Sequence, residues 1–197
     1  MLNITVMVSG GGTNLQALID AIENGVIQNA EIVQVISSNS KAYSLSRAEK
    51  HGIKHIVIGK ENYPDVVKRT QAILALLEEE RTDLIVLAGY MSILDPAVIQ
   101  VYQGKIINIH PSLIPKHCGK GFYGKHVHQS VLDSNEKETG ATVHYVDEGV
   151  DTGPVILQSK VPVYPKDTAE TLAERVLETE HQILIQTVKQ IAENGGE

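Results

Sequence analysis

The sequence predicts an α/β fold in one domain, with a mostly parallel central sheet and helices on both of its faces. Three observations predict it. Short apolar runs alternate with stretches whose apolar residues recur at helical spacing, which is the pattern of βα units. The first such junction is a glycine-rich loop, as at strand-to-helix turns that approach a ligand closely. A length of 197 residues suits one well-packed domain, residues 1–197, and is short for two.

Taken in order, Ile4-Thr5-Val6-Met7-Val8 reads as a buried strand, and Leu15, Leu18, Ile19 and Ile22 mark the helix after it. Ile32 to Ile36 is the second strand, and a helix follows from about Tyr43 to His51. His55 to Ile58 is the third strand, and the next helix carries Val66, Ile73, Leu74 and Leu77. Leu84 to Leu87 is a fourth strand, and Asp95-Pro96 starts a short helix before the strand Lys105 to Ile109. The following segment, "HCGKGFYGKHVH" at 117–128, reads as a flexible, mildly basic loop. Two strands, Thr142 to Val146 and Val155 to Leu157, flank the turn "DEGVDTG". The last element starts at Asp167, where Asp167 and Glu170 have capping-box spacing, and runs toward Gly195.

Composition narrows the function classes. A formal charge of −7 with 42% hydrophobic and 21% charged residues is the balance of a soluble globular protein and gives no argument for nucleic acid; the expected partners are small-molecule substrates. One cysteine, Cys118, excludes an intrachain disulfide, and no stretch has the length of a membrane span or signal peptide. The expected location is the cytoplasm.

Three constellations bear chemistry. "SGGGTN", Ser9 to Asn14, presents backbone N–H groups at a helix start, which suits an anion; a tight turn that binds nothing is the plainer alternative. A P-loop would need Gly-Lys-Ser/Thr, and a dinucleotide fingerprint would need glycine where Leu15 stands and an acid where Ser37, Ser38 and Asn39 stand. The loop therefore suggests a monophosphate. In the second constellation, Asn108 and His110 share a strand face, and Asp147, Glu148 and Asp151 lie in the later acidic turn. Asparagine donates N–H bonds without titrating and histidine moves protons near neutral pH, so together they suit an oxygen that gains negative charge. Asp151 is the candidate carboxylate to favour the protonated imidazole. The third is Glu180, near the centre of the apolar stripe of Leu172, Val176, Ile183, Thr187 and Ile191. Its partner is either a structural cation or a ligand. His117, Cys118, His126 and His128 match no usual zinc spacing, so no metal is expected. Lys116, Lys120 and Lys125 suit attraction of an anionic substrate tail.

With these residues placed, the chain resembles the glycinamide ribonucleotide transformylases of purine synthesis, within the folate-dependent formyltransferase superfamily. The resemblance rests on "VSGGGTNLQALI" (8–19), "VLAGYMSIL" (86–94), "NIHPSLIP" (108–115), "GATVHYVDEGVDTGPVILQ" (140–158) and "RVLETEH" (175–181). It implies a single-domain Rossmann-like formyltransferase fold and 10-formyltetrahydrofolate as co-substrate, without a metal. It assigns Asn108, His110 and Asp151 to catalysis, and Gly12, Thr13, Asn14 and Glu180 to the ribonucleotide. Met91, Ser92, Ile93, Leu94, Asn108 and Glu148 fall to the folate. The expected assembly is a monomer or weak homodimer. The chain departs from some members in having Ser92 rather than arginine and a longer "GKGFYGKHVH" loop. The implied reaction is direct formyl transfer through a tetrahedral oxyanion facing Asn108 and His110, with Asp151 tuning His110 and Cys118 a bystander. The tight turn also makes Ile114-Pro115 a candidate cis bond.

Overall fold

The computed structural model describes residues 1–195; Gly196 and Glu197, the end of the expected domain, lie outside the described residues. Among the described residues, strands and helices alternate as far as β6, which β7 follows directly: β1 Leu2–Val8, α1 Thr13–Glu23, β2 Ala30–Ser37, α2 Tyr43–Lys50, β3 Lys54–Val57, α3 Val66–Glu79, β4 Leu84–Leu87, α4 Pro96–Val101, β5 Ile106–His110, α5 Lys125–Asp133, β6 Glu138–Tyr145, β7 Val155–Pro162 and α6 Ala169–Glu193. The strand order is β3-β2-β1-β4-β5-β6-β7. The chain divides into two compact units, Met1–Ile107 with the segment from Val188 onward, and Asn108–Thr187.

In the first unit β1 pairs in parallel with both β2 and β4, and β2 with β3. Right-handed crossovers then place α1 and α2 on one face and α3 and α4 on the other, because the chain steps outward from β1 to β3 and returns at β4. The packing agrees: α1 contacts α2, and α3 contacts α4. Strands covered on both sides must be apolar throughout, and Ile4, Val6, Met7 and Val8 on β1 are fully buried, as are Ile85 and Val86 on β4. Because β1 connects to one side and β4 to the other, the point between their carboxyl ends is a topological switch, where open α/β sheets receive ligands.

The second unit carries the end of β5 and the antiparallel pair β6–β7. Its one unexpected element is α5. Lys125–Asp133 is helical, so the flexible loop expected through His128 ends at Gly124, which takes φ 54°. Val127, His128 and Val131 bury one stripe of that helix, a signal hidden by the adjacent glycines and histidines. The start of α6 also differs. Thr168 and Thr171 exchange the capping bonds, each backbone N–H donating to the other's hydroxyl at 3.0 and 3.3 Å, rather than Asp167 and Glu170. Asp167 instead takes two Arg175 N–H bonds, both 2.7 Å, which hold its carboxyl well below the usual carboxylate range. Ile114-Pro115 is cis.

Candidate active site

The glycine loop leaves β1 at the switch point and opens α1. Gly12 is the helix N-cap at φ 72°, ψ 32°, a conformation that an L side chain adopts only at a cost. It also has no room for one: a Cβ there would lie 2.5 Å from Ser44 Cβ. As a glycine, the N-cap residue brings no side chain to cap α1, and the helix opens at Thr13 and Asn14. Ser9 ties the loop down. Its hydroxyl lies 2.5 Å from Ser38 Oγ beyond β2 and accepts from the Met91 N–H at 2.8 Å beyond β4. Arg47 of α2 closes the other side, donating through Nε to the Gly11 carbonyl (2.8 Å) and through Nη1 to Gln16 (3.1 Å). An anion seated on the loop would have a guanidinium beside it.

The end of β5 carries Asn108 and His110, with Ile109 between them on the opposite face. His110 is 5% exposed. Its Nε2 is 3.0 Å from the His117 carbonyl, which only accepts, so Nε2 bears the proton and Nδ1 the lone pair. Asp151 reaches that side, Oδ2 lying 3.6 Å from His110 Nδ1 and accepting from the Gly119 N–H at 2.9 Å. The other oxygen, Oδ1, is 3.6 Å from Nε2 of a second buried imidazole, His144 on β6. His144 in turn lies 3.1 Å from the Asn108 amide nitrogen. One carboxylate thus stands between two imidazoles, and Asn108 joins the same set.

Asp151 pulls His110 in the expected direction, upward, against a larger opposing cause. Burial pushes His110 below the ordinary histidine value, and Asp151, then the His117 carbonyl, offset it only in part. The net direction favours the singly protonated imidazole. The Asp151 side chain is itself largely buried, and contacts with His144, His110 and the Gly119 N–H outweigh that burial to hold its carboxyl below the usual range. Its backbone sits at φ 56°, a left-handed conformation costing roughly 1 kcal/mol or more for a non-glycine residue. Tight turn packing enforces this, with Asp147 accepting from the Gly149 N–H (3.0 Å) and the Thr152 hydroxyl (2.6 Å).

The formyl transferase family model matches residues 2–188, nearly the whole chain. The chain belongs to the formyl transferase family. It is 43% identical to a phosphoribosylglycinamide formyltransferase of Haemophilus influenzae, across 98% of this chain and 88% of that one. The crystal structure of glycinamide ribonucleotide transformylase 1 from Symbiobacterium toebii superposes with a TM-score of 0.91 at 37% identity, covering 98% and 89% of the two chains. A formyltetrahydrofolate deformylase from Pseudomonas syringae pv. tomato matches with a TM-score of 0.88 at 26% identity, covering 98% of this chain and 62% of that one.

Within this formyltransferase fold, the expected residues fall into the two units. Gly12, Thr13, Asn14 and the segment Met91-Ser92-Ile93-Leu94 belong to the first, where Ser9 connects the glycine loop to Met91. Met91 and Ile93 are exposed apolar side chains, 58% and 84%, beside a buried Leu94. Asn108, His110, Glu148, Asp151 and Glu180 belong to the second. Glu148 is exposed on the acidic turn, and Glu180 is partly buried on α6, whose Leu172, Val176, Ile183 and Thr187 are buried. Of the residues weighed as zinc ligands, His117 Nδ1 meets Ser130 Oγ at 2.8 Å, Cys118 Sγ the Pro115 carbonyl at 3.3 Å, and the His126 ring that of Tyr123, while His128 is buried on α5. Burial, and then Asp151, push the Cys118 thiol up, away from nucleophilic reactivity.

Arg47 and His144 were not expected. Arg47 lies one βα unit away from the loop it closes, so no motif flags it. His144 sits in an apolar alternation, where the one sequence signal was a histidine at the end of an inward-facing strand.

Proposed function

We propose that this chain transfers the formyl group of 10-formyltetrahydrofolate to the amine of N1-(5-phospho-D-ribosyl)glycinamide, giving the N-formyl product and tetrahydrofolate in de novo purine synthesis. The observation that carries the reading is the approach of Asp151 to His110, which assembles the expected trio from two distant segments of a chain 43% identical to a phosphoribosylglycinamide formyltransferase. The whole of 1–197 is read as one formyltransferase domain, supported by a family match that runs through both compact units.

Attack of the unprotonated amine on the formyl carbon forms the new C–N bond and puts the carbonyl electron pair on oxygen. An N–H from Asn108 and the Nε2–H of His110 stabilise that oxygen, the latter after exchanging the His117 carbonyl for it. Each donor of this kind contributes on the order of 10²–10³ in rate. As negative charge grows beside the ring, the imidazole becomes more basic, and its free Nδ1 already faces Asp151. Collapse breaks the bond from the formyl carbon to N10, with the amine proton passing to N10 through the His110–Asp151 pair or a water they hold. Gly12, Thr13 and Asn14 hold the ribonucleotide phosphate and Glu180 its polar groups. Met91 to Leu94, Glu148 and Asn108 receive the folate. The reaction draws on no metal, and the enzyme works in the cytoplasm as a monomer or weak homodimer.

Likeness to a deformylase favours one second reading, hydrolysis of the same folate. Loss of 10-formyltetrahydrofolate, followed spectroscopically with and without the ribonucleotide, decides between them. Turnover that requires the ribonucleotide supports transfer, and equal turnover without it makes the chain a hydrolase.

A further inference from the structure

Resting on that reading, we propose that His144 is a positioning residue for the transfer: by accepting one N–H of the Asn108 amide, it fixes which end of that amide faces the reacting carbonyl.

The argument starts from what each atom is able to do. His144 Nδ1 is 2.8 Å from the carbonyl of Tyr145, and a carbonyl has no proton to give. Nδ1 therefore bears a proton, and in the singly protonated ring Nε2 carries a lone pair. That lone pair faces the Asn108 side chain at 3.1 Å. Only a donor satisfies it, so the amide nitrogen stands there and the amide oxygen is turned away. The nitrogen has two hydrogens; with one spent on His144, the second is held in a set direction for an oxyanion.

Free rotation about the last side-chain bond would destroy this. Turned by half a turn, Asn108 would present a carbonyl oxygen where the N–H stood, and two oxygens that both carry negative charge repel. Asparagine cannot make this choice alone, because its two ends are nearly identical in shape. His144 supplies the asymmetry. It is 2% exposed, and β6 packing fixes its ring, so the choice is built into the fold before substrate arrives.

The arrangement is symmetrical about Asp151. Each imidazole is oriented from behind by a main-chain carbonyl, Tyr145 for His144 and His117 for His110, and each turns its other nitrogen toward one carboxylate oxygen at 3.6 Å. The two donors to the oxyanion are therefore set by one connected group of residues.

Two measurements test this. Long-range proton–nitrogen correlation on the wild-type protein should show the Nδ1-protonated tautomer at His144; a proton on Nε2, in the other tautomer or in the imidazolium, would overturn the proposal. In kinetics, His144→Leu removes the acceptor and should lower kcat about 10- to 100-fold, less than loss of a whole oxyanion donor. Both KM values should stay within about twofold. His144→Gln, whose side-chain oxygen replaces the Nε2 acceptor, should recover most of kcat; a Gln variant as poor as Leu would count against the role. The deciding comparison uses Asn108→Ala, in whose background His144→Leu should cost nothing further. An equal fall in both backgrounds would overturn the action through Asn108. Turnover of wild type that ignores the ribonucleotide would instead sink the transferase reading, so the two failures are separate.

Discussion

Asp151 and His110 lie far apart in the chain, yet Asp151 Oδ2 stands 3.6 Å from His110 Nδ1, on the ring edge opposite the nitrogen that bonds the His117 carbonyl. The carboxylate thus meets the one ring position able to gain a proton. Asp151→Asn removes the largest upward pull on His110, so the imidazole should titrate at lower pH than in wild type when followed by NMR. kcat should fall about 10²- to 10⁴-fold with both KM values nearly unchanged. A variant with wild-type kcat would take Asp151 out of the mechanism.

Gly12 tests the phosphate loop. Gly12→Ala meets Ser44 Cβ at 2.5 Å and must also hold φ 72°. The two penalties should lower unfolding free energy by roughly 2–4 kcal/mol and raise the KM for the ribonucleotide. Adding Ser44→Gly removes the Cβ contact but leaves the Cα of residue 44 at 2.9 Å, so the double variant should recover only part of the loss and retain roughly 1 kcal/mol or more from the dihedral and that backbone contact. Full recovery would show that neither the left-handed conformation nor the backbone contact limits the loop.

Arg47 closes the same loop from α2. Arg47→Met keeps the apolar stem and removes the guanidinium. The expected result is a ribonucleotide KM raised about tenfold, the effect of about 1.4 kcal/mol, with little change for the folate. Equal effects on both substrates would point to general misfolding of the loop.

His128 on α5 predicts a pH dependence of stability. Burial, and then the neighbouring His110, push it down to about 4, against about 6.5 for an unfolded histidine. Between those values the unfolded chain binds a proton that the folded chain refuses. Stability from this residue is thus complete above pH 6.5 and lost as pH falls toward 4, by up to roughly 3 kcal/mol. Other groups titrate in the same range, so the comparison must be with His128→Leu, whose unfolding free energy should fall less steeply over that window. Parallel curves for the two proteins would refute the assignment.

Much of this molecule is written in local sequence, because period and turn chemistry are local properties. Ile4 to Val8 and Leu84 to Leu87 read as strands covered on both sides, and both are buried. "SGGGTN" reads as an anion loop, and the place of Asn108 and His110 on one strand face follows from alternation alone. Glu180 was legible as an acid on an apolar helical stripe. α5 was not legible, since glycines and histidines masked its short buried face, and the cap of α6 fell one residue from its expected place.

What only the tertiary structure decided is which groups meet and with what charge. A motif gives residue types, but the protonation of His110 depends on how far burial outweighs Asp151, and that balance is a property of the packed site. Arg47 reaches Gly11, and His144 reaches Asn108, through pairings between strands and helices that no single segment contains. The sequence determined the chemistry available at each position. The fold, by closing long loops and excluding water, determined which of those groups act on one another.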